Sequence, residues 1–248
     1  MILDIYKDAI EYSFQDKKGL IKFGVFYLFN ILILPIFLEL GYSYRVTKIA
    51  VHGMINGGEK FPDLNDAISM FVDGIKVFFV KFLYLLIPTA IFLVLTYISM
   101  INGMFSSYIG GIIAIIGTLI FMVSGVICFI LSDLSIAHMA AGDETLSSAL
   151  DIKRIWEISK SIGWLKLVGF YIGLFIITSA IILIFAFIIG SIYGMFSVSS
   201  GVLGINMGVM GGLNTILLII VCLILILFIY PLLTIFQARS IGLIYNLQ

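Results

Sequence analysis

Charge is what this sequence has least of. Of 248 residues only 11% are Asp, Glu, Lys or Arg, against roughly 25% in an average soluble domain. Two cysteines, two histidines and four prolines complete the shortages. Each one excludes something. Cys128 and Cys222 sit in separate apolar runs, where cysteine behaves as a small hydrophobe, so neither a disulfide framework nor a thiolate metal site is expected. His52 and His138 lie far apart in the chain and read as interfacial histidines; no metal site and no cofactor is expected. There is no Gly-x-Ser-x-Gly elbow, no His-Glu-x-x-His and no Gly-Lys-Ser/Thr phosphate loop. Lys and Arg balance Asp and Glu at fourteen each, so no nucleic-acid partner is expected.

What is abundant is apolar. Hydrophobic residues make up 62% of the chain and the mean hydropathy is +1.21. A 27.5 kDa soluble fold leaves too much of its surface in water to hide that content. The expected fold is therefore all-α: a polytopic transmembrane helical bundle forming a single integral membrane domain over residues 1–248. Residues 77–100, 109–131, 164–189 and 213–236 each exceed the roughly 20 residues that cross a bilayer. Asp4, Asp8 and Glu11 interrupt the start of the chain, so no cleavable signal is expected.

Amphipathic helices are expected beside these spans. Residues 1–18 place Ile2, Ile5, Tyr6, Ala9, Ile10 and Phe14 on one helical face. Such a helix lies in the membrane interface, or else packs on the protein's own surface. Asp63 with Asp66 resembles a capping box, opening a helix whose face carries Leu64, Ile68, Phe71, Val72, Ile75, Phe79 and Phe82. A third amphipathic helix is expected within 138–161, beginning near Thr145, with Trp156 and Trp164 suited to an interfacial belt.

An internal repeat is also expected. Ile101–Ser106 and Ile192–Ser197 agree at five of six positions. Gly110-Gly111 and Gly211-Gly212 follow them. The repeat units are 61–137 and 143–237, both starting on the same side, hence a parallel repeat. The connections 101–108 and 190–212 carry no charge, while loops 45–76 and 138–163 and the C-terminus do. The positive-inside rule makes the charged side cytoplasmic, in the plasma membrane. Residues 20–51 then either cross or form a re-entrant or kinked helix pair turning near Pro35. Re-entry puts all fourteen basic residues on one side; a full crossing leaves Lys7, Lys17, Lys18 and Lys22 outside.

Candidate site residues are the ionisable groups nearest hydrocarbon, where an unpaired charge is expensive. Glu39, Arg45, Lys81 and Asp133 are expected to share a polar pocket on the cytoplasmic half, unless Lys81 snorkels and Asp133 merely ends its helix. Pro35, Pro88 and Pro231 are candidate helix breaks. Gly190-x-x-x-Gly194 and Gly204-x-x-x-Gly208-x-x-x-Gly212 match a close-approach spacing, though the second series suits a flexible loop.

Leu34–Arg45, Gly58–Asp63, Phe71–Lys76 and Ala9–Phe14 together resemble an uncharacterised prokaryotic membrane family, common in archaea, termed domain of unknown function 4013. The resemblance implies a polytopic membrane protein and supplies no catalytic residues. More distantly, the Pro…Gly-Tyr and Phe…Asp-Gly-x-Lys pattern is similar to membrane domains that accompany glycerophosphodiester phosphodiesterases, whose soluble catalytic domain has no counterpart here. Three functions follow, in order. The first is a non-enzymatic component that binds lipid or organises a complex. The second is a small transporter or channel. The third is a lipid-modifying intramembrane enzyme. Expected partners are membrane lipids, with a homo-oligomer or other membrane subunits.

Overall fold

The computed structural model describes residues 1–29, 34–202 and 207–248. No strand occurs among the described residues. The helices are α1 (Ile2–Gln15), α2 (Lys17–Leu28), α3 (Leu34–His52), α4 (Ala67–Ile101), α5 (Tyr108–Ala141), α6 (Leu146–Ala149), α7 (Ile152–Ile162), α8 (Trp164–Val202), α9 (Met207–Ile224) and α10 (Tyr230–Tyr245), with a π-helical turn at Leu225–Ile229 between the last two. Four stretches are long and apolar enough to cross a membrane: Ala67–Ile101, Tyr108–Ala141, Trp164–Met195 and Thr215–Tyr245. They make this a multi-pass membrane protein.

Charge and burial are sorted along these helices. No charged residue lies between Lys81 and Asp133 or between Lys166 and Arg239. The uncharged stretches form two helical hairpins, α4–α5 and α8–α9, whose large apolar side chains point outward, among them Leu93, Tyr97, Ile115, Phe175 and Leu183. In lipid such exposure costs nothing, because the tails are as apolar as the side chains. Buried residues gather at the other end. Nearly every residue of α5 from Ile130 to Ala140 is buried, as are Leu167, Phe170 and Leu174 of α8 and most of α10. The molecule is thus a packed base carrying two apolar hairpins. At about 1.5 Å per residue, the 34 residues of α5 run well past a hydrocarbon layer of about 30 Å, so the base extends to the polar side.

One buried cation ties the base together. Arg239 of α10 is 1% exposed. Its Nε donates to Asp8 of α1 at 2.8 Å, and its Nη2 donates to Glu59 at 2.8 Å and to the Met54 carbonyl at 3.2 Å. The guanidinium also stacks over the Tyr12 ring, 4.8 Å from its centroid. Asp8 in turn accepts from the Asn56 amide at 2.6 Å. The first helix, the 53–66 loop and the last helix therefore meet on one group.

Close backbone contact sets two further interfaces. A Cβ on Gly41 would lie 1.8 Å from the Met70 carbonyl oxygen, and one on Gly74 would lie 1.7 Å from that of Phe37, so α3 and α4 cross where only glycine fits. Pro231 cannot donate to the carbonyl four residues back, which belongs to Leu227. The π turn forms there, and Gly24 of α2 sits against the same carbonyl; a Cβ would be 2.2 Å from it.

Several expectations change. The face of α1 packs on the protein, not on lipid: Tyr6 donates to the Phe170 carbonyl at 2.5 Å and stacks on its ring, while Phe14 points out. Helix α4 starts at Ala67, not after Asp63, because Asp66 is its N-cap and accepts from the Ser69 amide at 3.2 Å. Most of the apolar face expected on this helix, including Ile68, Val72, Ile75, Phe79 and Phe82, is exposed. The helix expected from near Thr145 does begin there, with Thr145 capping α6, but it breaks after Ala149, and Asp151 caps a separate α7. The connection expected at 190–212 is largely helical, with 203–206 outside the described residues.

The proline outcomes differ. Pro35 is the second residue of α3, where a missing amide sacrifices no hydrogen bond. α4 continues through Pro88. Only Pro231 accompanies a change of helix type. A Cβ at Gly190, Gly194 or Gly212 would meet nothing within 4 Å, so these glycines mark no close approach within the chain; Gly204 lies outside the described residues. Of the two matched hexapeptides, Ile101–Ser106 forms the turn after α4, whereas Ile192–Ser197 is helical within α8.

Arg239→Met leaves Asp8 buried beside no cation, and the expected loss of stability is about 3–5 kcal/mol, read from unfolding of the detergent-solubilised protein. The Asp8→Asn, Arg239→Met double variant recovers most of it. Partial burial raises the Glu59 carboxyl, but hydrogen bonds from backbone amides, Met54's among them, and from Arg239 outweigh it and hold its pKa below the ordinary 4.5. Its stabilisation is then fully present above the ordinary value and lost as the pH falls through the lowered folded value. Glu59→Gln removes that part of the acid limb of the stability profile.

Candidate functional site

The base holds a partly open cavity of about 190 Å³ whose lining mixes charged, polar and apolar side chains. α3 contributes Glu39, Ser43, Tyr44 and Thr47; α4 contributes Lys81; α5 contributes Phe129 and Asp133; α10 contributes Thr234 and Gln237. These residues converge because α3 crosses α4 at the two glycines while α10 packs on α3, where the Thr47 hydroxyl donates to the Ala238 carbonyl at 3.3 Å.

Asp133 is the fixed anion of this site. Its side chain is 3% exposed, against 43% for Lys81. Oδ1 lies 3.4 Å from the Lys81 Nζ, and Oδ2 accepts from the Tyr171 hydroxyl at 3.2 Å. Lys81 also sits over the Phe129 ring, 5.9 Å from its centroid. The pair thus joins α4 to α5 where charge gives way to the uncharged hairpin, and Tyr171 brings in α8. Across the cavity, Glu39 lies against the Tyr27 hydroxyl of α2, which also bonds Thr234. The contact of Phe23 with Tyr42, 4.3 Å between ring centroids, and of Tyr27 with Glu39 makes α2 and α3 antiparallel. Residues 30–33 between them lie outside the described residues.

Above this cavity an apolar groove of about 590 Å³ opens between α5 and α8. Phe121, Met122, Gly125, Val126, Ile172 and Phe175 line it. Phe129, Leu174 and Gln237 line both spaces, so the groove and the cavity adjoin. A chamber with charged and polar walls adjoining an apolar lateral slot matches the polarity of an amphiphile.

Of the four charged residues expected to share a pocket, Glu39, Lys81 and Asp133 line one cavity. Arg45 lies outside it. Its guanidinium donates to the carbonyls of Asp63, Asn65 and Asp66 at 3.0–3.2 Å and lies 4.0 Å from Asp73. Arg45 therefore shapes the turn before α4. Tyr44, Tyr171, Thr234 and Gln237 were not among the candidates. Their signal was present in the sequence, as neutral polar side chains at helical spacing within or beside apolar runs.

The model of a family described as "Protein of unknown function (DUF4013)" matches residues 25–193. The chain belongs to that family. The segment matched in this DUF4013 protein runs from α2 into α8 and holds Glu39, Tyr44, Lys81, Asp133 and Tyr171, whereas Thr234, Gln237 and Arg239 follow it. No curated protein and no solved structure matches the chain.

Lys81→Met strands a buried carboxylate and is expected to cost about 3–5 kcal/mol. Asp133→Asn frees a half-exposed lysine that can reach water, and costs nearer 1 kcal/mol, as for an exposed pair. The Lys81→Met, Asp133→Asn double variant is more stable than Lys81→Met alone. Thermal unfolding of the four proteins in one detergent reads the order.

Proposed function

We propose that this protein is a multi-pass membrane component that binds a membrane amphiphile, with the apolar chain in the α5–α8 groove and the head in the polar cavity. The observation that carries this reading is the sharing of Phe129, Leu174 and Gln237 by a space with charged and polar walls and an apolar slot. A soluble ligand has no use for the slot, and a wholly apolar one has no use for the charged and polar lining. Binding ranks above lipid hydrolysis because both oxygens of Asp133 are engaged, by Lys81 and Tyr171, which suits a fixed charge better than a proton acceptor. It ranks above ion-coupled transport because the hairpins carry no charge between Lys81 and Asp133 or between Lys166 and Arg239.

The base faces the cytoplasm in this reading. The positive-inside rule supports it, as does an antiparallel α2–α3 pair whose 12-residue first arm is too short to span. The protein resides in the plasma membrane, and both termini are cytoplasmic. A tag at residue 1 is then labelled only after vesicles are permeabilised; labelling of sealed right-side-out vesicles places the N-terminus outside and discards the re-entrant pair.

Gly125 supplies the test of the groove. It lines the slot, and a Cβ there would meet nothing within 4 Å. Gly125→Phe should fill the slot at little cost to the fold. Native mass spectrometry should show at least roughly tenfold less lipid retained, a change of about 1.4 kcal/mol, at unchanged melting temperature. Equal retention by the variant and the parent would refute occupancy of the groove.

A further inference from the structure

A second opening lies beside the first, and the amphiphile reading does not use it. It is a cleft of about 670 Å³ between α3, α4 and the turn that joins α5 to α6. Arg45 and Lys48 of α3, Asp63 before α4, Asp73 and Lys76 of α4 and Glu144 of the turn line it. Tyr44 stands in the wall between the two openings and is 1% exposed. Its charged neighbours, Glu144 and Asp73, belong to this second cleft. Its hydroxyl nevertheless has no hydrogen-bond partner among the described residues. A buried hydroxyl in that state is costly, and a ligand atom beside it relieves the cost.

Glu144 explains why the hydroxyl stays unpaired. The residue belongs to no helix, and its φ of +59° is left-handed, where a side chain other than glycine is strained. Its carboxylate pairs with the Lys48 Nζ, and its carbonyl accepts from the Lys76 Nζ at 3.2 Å. A strained turn thus delivers a carboxylate to two lysines, and that carboxylate does not reach Tyr44. Lys48 has three N–H donors and gives one to Glu144. A tetrahedral anion in the same place has oxygens to spare for Lys48, Lys76 and the Tyr44 hydroxyl together.

We propose that this cleft binds the phosphate of an anionic membrane lipid through Lys48, Lys76 and the Tyr44 hydroxyl, and that the Glu144 carboxylate holds the place until the lipid displaces it. The site is separate from the α5–α8 groove and does not depend on that groove being occupied. The other carboxylates permit an anion. Asp73 lies 3.6 Å from the Lys76 Nζ and 4.0 Å from the Arg45 Nε, and Asp63 is exposed at the rim. With Glu144 in place the charged lining balances at three of each sign; its withdrawal leaves one positive charge in excess. Basic pockets between spans, on the polar side, are where anionic headgroups bind. Val72, exposed in the cleft wall, leads along Ile75 and Phe79 toward the apolar span and gives the acyl chains a surface.

The experiment uses the full-length Gly125→Phe protein in detergent, so that lipid in the α5–α8 groove does not mask the count. It is exchanged with equimolar phosphatidylglycerol and phosphatidylcholine of identical chains, and retained lipid is counted by native mass spectrometry. Phosphatidylglycerol is expected to exceed phosphatidylcholine by about tenfold, and Lys48→Met is expected to abolish that preference. Glu144→Gln removes the competing charge and keeps the size of the side chain. It should raise phosphatidylglycerol retention about tenfold, a gain that misfolding does not produce. Tyr44→Phe should lower retention about threefold to tenfold without lowering the melting temperature. Equal retention of the two lipids, or an unchanged preference in Lys48→Met, overturns the anion site. Retention by Glu144→Gln no greater than the parent's overturns the displacement. Release of bound phosphatidylglycerol by inorganic phosphate at equal concentration assigns the site to a soluble phosphate and overturns the lipid source.

Discussion

Arg239 carries a guanidinium into a place almost without solvent, and much of the base is arranged to make that tolerable. An unpaired charge there would be prohibitive, so Asp8, Glu59 and the Met54 carbonyl surround it and Tyr12 covers it. These partners come from α1 and the 53–66 loop. Their placement has consequences further on. With α1 docked, Tyr6 reaches the Phe170 carbonyl and fixes α8 against the base. With the loop docked, Tyr12 donates to the Lys60 carbonyl and packs on Phe61. The last helix is thereby held beside α3, and that is what brings Thr234 and Gln237 opposite Glu39 and Tyr44.

Lipid explains the remainder of the architecture. Backbone groups in hydrocarbon must be satisfied within the chain. This requirement accounts for the helical continuation of α8 and α9 through glycine-rich sequence that in water would favour a loop. It also accounts for the sorting of charge. Lys81 and Asp133 are the last charged residues before the α4–α5 hairpin, and they neutralise each other at its foot. Neutral polar groups, Tyr171 and Gln237, extend that polarity a little further and end in the groove. The lining thus grades from a charged base to an uncharged slot.

The four spans were legible because the bilayer demands uninterrupted apolar length, a local property of the chain. Helix starts were less so. Asp63 and Asp66 are equivalent caps by local rules, and Arg45, eighteen residues before the first of them, holds the intervening carbonyls in a turn and leaves the cap to Asp66. The same contact withdraws Arg45 from the cavity. Glu39, Lys81 and Asp133 stood out because charge beside hydrocarbon is conspicuous; Tyr44 and Tyr171 did not, because a tyrosine in an apolar run is ordinary until its hydroxyl is located. On α4 the larger apolar side chains, Phe79 and Phe82 among them, face outward, and the smaller face with Gly74, Val77 and Val80 meets the protein.

The groove between α5 and α8 owes its existence to where the hairpins touch. At the base, Phe129 packs edge-on against Tyr171, 5.9 Å between ring centroids, and Tyr171 donates to Asp133. Further from the base, α5 turns toward α4, where Phe92 meets Phe121 at 4.8 Å and Gly117 approaches Leu95. Gly125, the residue of α5 between these two zones, contributes no side chain to fill the gap. A gap of that kind in a soluble core would collapse or cost stability in proportion to its volume. In a bilayer such a gap is open to lipid from the side, so on the proposed reading a chain from the surrounding membrane fills it, and the affinity of the site is decided by the head. On the proposed reading, selectivity is concentrated in the polar lining, and the apolar residues of the slot set its capacity.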